Sequence, residues 1–556
     1  MTLPSPSAPV LAPEEELVLP LTGRRSAAER LIPFFTSLVV TAGILIRIFH
    51  FSDNRSLWRD ELYLGISLIK MSFWELATQP LAYEQKAPLG FLWAERLAVE
   101  VLGKGEMALR LFPLLCGIAA LFAFVPVARY FLKPWAAMLA VALLALASPV
   151  VYHSVEAKQY STELLASVLA LLLYVRFHQK HSLKALFVWG LAGALLLWFS
   201  YSVIFVLAGI GMAVTLKMLR QEGWKAPLRY VPAFGLWVCS FAVTYVLFLG
   251  RYQDSQWLTV FFEKYCQAYL PVSFSPTALP KWLFMKANEI VKNPLGQTFK
   301  FAVASPAAFI VVRFFPLALL GAGMLLFARK SFSKFSVLVF PLLLALLASS
   351  LKQYPFYERL VLFLAPMFIM FICYAAQEIL ALLSGRTAVK LLLATLLLAP
   401  PMYNAVREIT NPDYFLNKEK GREALLYIND QFKQGDAVYV YWNMWHVYDY
   451  YKEAYNLKFT ALKGEDLKTV SEDEDTYLRK LSPGISQVKG HNRLWYLYDS
   501  YLRVNIGGFV EQPAWYFHKD YLPGQTPKAA FFNLGKEREE KFMEKDAVVL
   551  SYQLTP

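Results

Sequence analysis

Charge is scarce in this chain of 556 residues: Asp, Glu, Lys and Arg together make up 17%, while 57% of residues are hydrophobic. With a mean hydropathy of +0.38, that balance excludes a soluble enzyme and marks a polytopic membrane protein. Cysteine and histidine are also sparse, at four and seven residues. Cys116, Cys239 and Cys373 fall inside apolar runs and Cys266 stands alone in a connecting loop, so neither a disulfide framework nor a thiolate metal site is available. The scattered histidines argue equally against a zinc centre. There is no Gly-rich phosphate loop, no nucleophile elbow, and no evident internal repeat of the transporter kind. The net charge of +13 invites nucleic acid, but the Lys and Arg fall in short clusters between apolar runs, not on one basic face. They read as topology signals, and no nucleic-acid partner is expected.

What the chain does have is long apolar runs. The first, 31–51, carries Arg47 near its end and is long enough at ~1.5 Å per residue to cross a ~30 Å hydrocarbon layer. Further runs near 110–132, 135–153, 161–178, 183–201, 203–219, 230–249, 306–328, 335–352, 357–380 and 388–403 bring the expectation to about eleven spans. With the N-terminus in the cytoplasm, the inside connections hold Lys133; Arg176, Lys180 and Lys184; Lys217, Arg220, Lys225 and Arg229; Arg329, Lys330 and Lys334; and Arg386 with Lys390. Every one is basic, as the positive-inside rule requires. This register leaves the first loop, 52–109, outside, so 61–70 and 86–102 read as helices lying at the interface. Residues 1–30, rich in Pro and Ser with Glu14, Glu15 and Glu16, read as a disordered cytoplasmic tail. Beyond Tyr403 charges become dense; 436–442, 493–498 and 547–552 read as short buried strands and 445–455 as a helix. The fold class is therefore mainly α: a membrane domain over 31–403, followed by a small extracytoplasmic α/β domain over 404–556.

Ionisable residues recur at the outside boundaries. The first loop holds Trp58-Arg59-Asp60-Glu61, then Tyr83, Glu84 and the turn Lys86-Ala87-Pro88-Leu89-Gly90. Later come Glu156-Ala157-Lys158-Gln159-Tyr160 and Lys352-Gln353-Tyr354-Pro355-Phe356-Tyr357-Glu358-Arg359. Asp60 taken alone fits a helix N-cap as well as a catalytic acid, and Glu84 or Lys352 alone fits a capping or snorkelling side chain. Glu358 and Arg359 open an otherwise apolar span, where unpartnered charge is expensive and commonly marks a substrate site. Lys as a point charge, Arg as a planar fork and Tyr hydroxyls as neutral donors suit a phosphate group. A carboxylate beside such cations stays ionised, the state a general base needs.

Leu57-Trp58-Arg59-Asp60-Glu61 after the first span, Lys86-Ala87-Pro88-Leu89, Glu156-Ala157-Lys158-Gln159-Tyr160 and a C-terminal outside domain together resemble the GT-C glycosyltransferases. Within these the chain is most similar to the family 39-like protein O-mannosyltransferases and their relatives, the lipid A aminoarabinose transferases and rhizobial core galacturonosyltransferases. The resemblance covers about 31–403. It implies an inverting transferase at the outer face of the plasma membrane that moves a sugar from a polyprenyl-phosphate donor to an acceptor hydroxyl on a lipid, polysaccharide or protein. It further implies Asp60 as general base, with Glu61 positioning the acceptor or supporting the loop. Lys86, Lys158, Tyr160, Tyr357 and Arg359 would contact the carrier phosphate, and Tyr83, Glu84 and Glu156 would position substrate. Ala87 replaces a frequent family proline, and Lys158 replaces an Arg, which keeps the charge and loses the bidentate fork.

Without an acidic cage for Mg²⁺ or Mn²⁺, the expected reaction requires no metal cofactor; Asp60 and Glu61 are the pair that could share an ion. The rival readings are a transporter or flippase of lipid-linked sugars, and a nonenzymatic polyprenyl-phosphate binder. A transporter favours charges near mid-membrane, where Arg313 is the principal example in this chain.

Overall fold

A computed structural model describes residues 27–249, 256–272, 275–299, 306–412, 419–505 and 513–555. Of the expected N-terminal tail, residues 1–26 lie outside the described residues. Among the described residues, eight helices are long and apolar enough to cross a membrane: Arg30–Ser52, Glu106–Phe131, Tyr160–Phe177, Val203–Glu222, Ala226–Phe248, Phe332–Ser350, Glu358–Leu382 and Thr387–Thr410. Pro134–Leu146 and Leu183–Phe199 are apolar but shorter, and Pro306–Lys330 is helical as well. Among the described residues, length and hydropathy thus bear out eight of the eleven expected spans. The run expected over 135–153 is broken at Ala147, because Pro149 lacks the amide that a continuous helix would need and starts a new helix, Ser148–His153.

The bundle turns its apolar side chains both inward and outward. Leu38, Leu45, Phe122 and Leu195 are 54–60% exposed, as side chains facing lipid must be. The segment Glu358–Leu382 is buried along nearly its whole length and forms the bundle's axis. Close helix approach depends on glycine: a Cβ on Gly323 would stand 1.9 Å from the Phe371 carbonyl oxygen, and one on Gly209 would stand 2.6 Å from Pro341 Cδ.

At one end of the bundle, the first loop forms the helices Arg59–Lys70 and Leu89–Leu102. The C-terminal region builds a five-stranded sheet, ordered β2-β1-β3-β5-β4, from β1 (Ala437–Val440), β2 (Leu462–Lys463), β3 (Arg493–Tyr498), β4 (Gly535–Met543) and β5 (Val548–Leu554). β1 runs parallel to β2 and β3, whereas β5 is antiparallel to β3 and β4. All six residues of β3 are buried, consistent with its central place. The helix Trp445–Tyr455 covers this sheet and packs on Arg59–Lys70, so Leu62, Leu64, Ile66 and Leu68 share one hydrophobic core with Val438, Val447, Tyr450 and Trp495. The loop helix is therefore sandwiched between bundle and sheet and does not lie open at an interface. Polar ties reinforce the contact: Leu57 N donates to Tyr451 Oη at 2.9 Å, Arg422 Nη1 to Glu106 Oε1 at 2.7 Å, and Lys70 Nζ to Asp449 Oδ1 at 2.6 Å.

Candidate active site

Trp58 caps the helix Arg59–Lys70, and the Glu61 side chain reaches back to accept from Trp58 N at 3.2 Å. Asp60 therefore sits inside the first turn and is not the N-cap. Successive helical residues point about 100° apart, which sends the two adjacent carboxylates into different surroundings. Glu61 is fully buried; its oxygens accept from Arg110 Nε at 2.8 Å, Arg110 Nη2 at 2.7 Å and Ala157 N at 2.8 Å, with Arg55 Nη2 at 3.9 Å. Burial opposes its ionisation, but Arg110 and Arg55 overcome that and hold its carboxyl below the usual value. Glu61 is thus the brace of the loop, and its occupied oxygens are not free to share an ion with Asp60.

Asp60 faces the site. It is ion-paired with Arg359, a residue 299 positions later that opens the central segment Glu358–Leu382. Burial again works against the charge, and Arg359, Lys158 and Arg59 together hold the Asp60 carboxyl low. The Arg359 guanidinium also lies over the rings of Trp58, at 5.3 Å, and Tyr160, at 5.6 Å. Its presentation involves strain: Glu358, just before it, has φ of +27°.

The segment 156–160 forms the floor. Glu156 accepts from Trp58 Nε1 at 2.9 Å and lies 2.6 Å from His153 Nδ1. Lys158, almost wholly buried, donates to Gln85 Oε1 at 2.5 Å, and burial pulls its ammonium below the usual lysine value despite Asp60. The turn containing Lys86 is tied down by Gln159 Nε2 to Lys86 O at 3.4 Å and by Tyr201 Oη to Ala87 O at 2.9 Å. Lys86 is half-buried and is likewise pulled down by desolvation, with Glu84 opposing. Tyr83 and Glu84 adopt φ of +53° and +51°, and Tyr83 stacks on Tyr63 with ring centroids 4.4 Å apart.

Asp60, Glu156, Lys158, Tyr160 and Arg359 thus meet directly or through Trp58, and Gln85 joins the turn of Lys86 to them. Tyr357 lies apart, under Lys286 Nζ at 5.4 Å and against Phe262. Arg313 is exposed and bonds Asn288 Oδ1 at 2.9 Å. Several contributors were not singled out from the sequence. Arg110 carried a signal, a charge inside an apolar run, whereas Gln85 and Glu419 carried none, and Trp58 stood in the 57–61 motif without a role of its own. Glu419 accepts from Arg59 N at 3.1 Å, and burial pushes its carboxyl up to about 8 against the pull of Arg59. His446, packed on Tyr63 at 5.0 Å, is held neutral by burial and Arg59, at about 3.

A multi-span bundle with a part-buried, cation-rich site at one end, roofed by a small sheet domain, defines the class of protein. Residues 86–246 match the family described as dolichyl-phosphate-mannose-protein mannosyltransferase. The fold is similar to that of ArnT from Cupriavidus metallidurans in its apo crystal structure, with TM-score 0.52 and 14% identity over 95% of this chain and 98% of that one. The crystal structure of ArnT bound to undecaprenyl phosphate is similar at TM-score 0.51 and 14% identity, over 94% and 98% of the two chains. No curated protein matches the sequence. The family likeness thus covers residues 86–246, and over nearly the whole chain the fold is similar to that of ArnT.

Proposed function

We propose that this protein transfers a sugar from a polyprenyl-phosphate donor to an acceptor hydroxyl at the outer face of the plasma membrane, with inversion at the anomeric carbon. The carrying observation is the meeting of Asp60 with Arg359 and Lys158, brought together from three distant segments. The family match of residues 86–246 and the ArnT complex with undecaprenyl phosphate support the same reading.

In the proposed step Asp60 accepts the acceptor's proton, the acceptor oxygen forms its bond to the anomeric carbon, and the bond from that carbon to the phosphate oxygen breaks. The departing phosphate takes the electron pair. Arg359, Lys158 and Lys86, with the Tyr160 hydroxyl, hold the developing charge, and such preorganised groups contribute several kcal/mol; Tyr357, which lies apart, has no part in the step. Tyr83, Glu84 and Glu156 keep the turn and floor in place. Arg359 has two roles in sequence: it pairs Asp60 while the site is empty and turns to the phosphate when the donor arrives. Asp60, relieved of its strongest cation, then becomes a stronger base. Glu61 acts only as the brace, and no divalent ion is needed in the scheme. The basic connections, counted over the eleven expected runs, support an N-terminus in the cytoplasm and a 404–556 domain outside, where it would meet a lipid, polysaccharide or protein acceptor.

The test is release of free polyprenyl phosphate from a panel of polyprenyl-phosphate sugars by membranes holding wild-type protein or Asp60→Asn at equal abundance. Release that depends on Asp60 supports the transferase. Equal release removes Asp60 as the base, and none with any donor and acceptor extract turns the reading to a transporter or binder.

A further inference from the structure

A cavity of about 180 Å³ lies at the opposite end of the bundle from Asp60. It is walled by His178 and His181 beyond the end of Tyr160–Phe177, by Lys217, Met218 and Glu222 in the last turns of Val203–Glu222, and by Ser333 at the start of Phe332–Ser350. At ~30 Å³ per water it has room for several waters or one phosphate group.

Its polar groups suit an anion. Lys217 is half-buried and has no hydrogen-bond acceptor or ion-pair partner among the described residues. The acid in the wall, Glu222, is neutralised by Arg229 Nη1 at 2.6 Å. His178 is fully committed, its Nδ1 2.8 Å from Tyr174 O and its Nε2 3.2 Å from Tyr130 Oη, so it supplies wall and not a donor. His181 differs. Its Nδ1 lies 3.4 Å from Tyr230 Oη, whose own proton goes to His178 O at 2.9 Å, so Nδ1–H donates to that hydroxyl and the exposed ring rims the cavity. Lys334, held over the Tyr130 ring at 4.6 Å, adds positive potential beside His178. Ser331 caps the helix Phe332–Ser350 without a side-chain bond, and the first-turn amides around Ser333 add the positive end of that helix. Basic pockets between spans commonly hold lipid head groups.

We propose that this cavity is an anion site for a phosphate ester, bound by Lys217 and the amide end at Ser333, rimmed by His181, and separate from the Asp60 site. The phosphate comes from an anionic lipid head group in the adjoining leaflet or from a soluble phosphate compound. Exposed Leu219, Trp224 and Phe332 adjoin the wall residues in the chain and suit contact with a lipid's apolar part.

The test uses the full-length protein in two arms. In the first, protein from nanodiscs of phosphatidylcholine with phosphatidylglycerol is read by native mass spectrometry for retained lipid. In the second, inorganic phosphate is titrated in detergent against thermal unfolding. Wild type, Lys217→Gln, Lys217→Glu, Lys390→Gln and Arg359→Gln are compared. Lys390 is in a basic cluster outside the cavity, and Arg359 reports phosphate binding at the other end. Saturable binding weakened about tenfold or more by either Lys217 change, and kept by Lys390→Gln and Arg359→Gln, is expected from losing one charge-assisted bond. Retained phosphatidylglycerol identifies the lipid source, and a phosphate response without it identifies the soluble one. No saturable binding in either arm overturns the proposal. So does equal loss in Lys390→Gln, which means general attraction to a basic face, or loss confined to Arg359→Gln. If Lys217→Glu does not fold, Lys217→Gln carries the comparison.

Discussion

Replacing Glu61 by Gln removes one buried negative charge while keeping nearly the same shape. In the native structure that charge faces the two Arg110 nitrogens at 2.7 and 2.8 Å, with Arg55 at 3.9 Å. Arg110 in turn donates to Arg55 O at 2.6 Å and Ser56 O at 3.2 Å, which fixes the approach to the loop helix. Breaking one side of a buried pair leaves the partner charge uncompensated and costs about 3–5 kcal/mol. Glu61→Gln is therefore expected to lose about that much stability, read as tryptophan fluorescence during denaturant unfolding in detergent micelles. The pH dependence has a definite sign. Glu61's folded pKa is lowered, so its contribution is complete above its unfolded value of about 4.5 and fades as pH falls through the folded one. The gap between wild type and Glu61→Gln should be level from about pH 5.5 to 8 and narrow in acid. Glu61→Leu with Arg110→Met should recover part of the loss, because no lone charge remains. A Glu61→Gln protein within about 1 kcal/mol of wild type would refute the brace.

Three further outcomes follow from the same geometry. Asp60→Asn should lower polyprenyl-phosphate release by ~10²–10⁴-fold with unfolding little changed, since the proposed base is lost and the brace is kept; a large loss of stability would mean that Asp60 is structural. Arg359→Gln should raise the donor KM and move the acid limb of the kcat/KM profile upward, because a leading cation that keeps the Asp60 carboxyl low in the free enzyme is gone; an unmoved limb would show that Arg359 does not control that carboxyl. Glu95 is fully buried without a partner among the described residues, and desolvation with Glu61 nearby pushes its carboxyl well above the usual value. The folded chain then keeps a proton that the unfolded chain releases above about pH 4.5, so native stability falls as pH rises; Glu95→Gln should be more stable than wild type at pH 8 and level with it at pH 4.

Asp60, Glu156, Lys158, Tyr160 and Arg359 were legible in the sequence because each is a charge or hydroxyl at the edge of an apolar run, where few such residues are tolerated. The helix at 445–455 and three of the five strands were legible for a similar reason: short apolar periods stood out against a charged background. What was hidden depended on tertiary direction. Adjacent Asp60 and Glu61 look alike in sequence, yet helical rotation sends one to the site and the other to Arg110. Trp58 and Gln85 are ordinary residue types whose roles arise only when 156–160 folds beneath them. The break at Ala147 was masked because hydropathy continues unchanged across it.

The division of the chain near residue 403 also changes meaning once packing is seen. Hydropathy separates a membrane part from a charged part, but Leu62, Leu64, Ile66 and Leu68 lie on the membrane side of that division and bury themselves against Val447, Tyr448 and Tyr450 from the other. Each such side chain gains about 1.5–3 kcal/mol from burial, in sum comparable to the usual margin of a folded domain. A chain ended at Thr410 keeps the last bundle helix intact but leaves those residues open to water and removes the partners of Leu57 N and Glu106. Arg59–Lys70 should then lose its fixed direction, and the Asp60–Arg359 pair with it. Limited proteolysis should cut the shortened chain between residues 57 and 90 while sparing the full one, and polyprenyl-phosphate release should disappear in parallel. A shortened chain that resists cleavage there and keeps its release rate would show that the bundle alone orders the site, leaving the sheet domain to acceptor choice or to no part of the reaction.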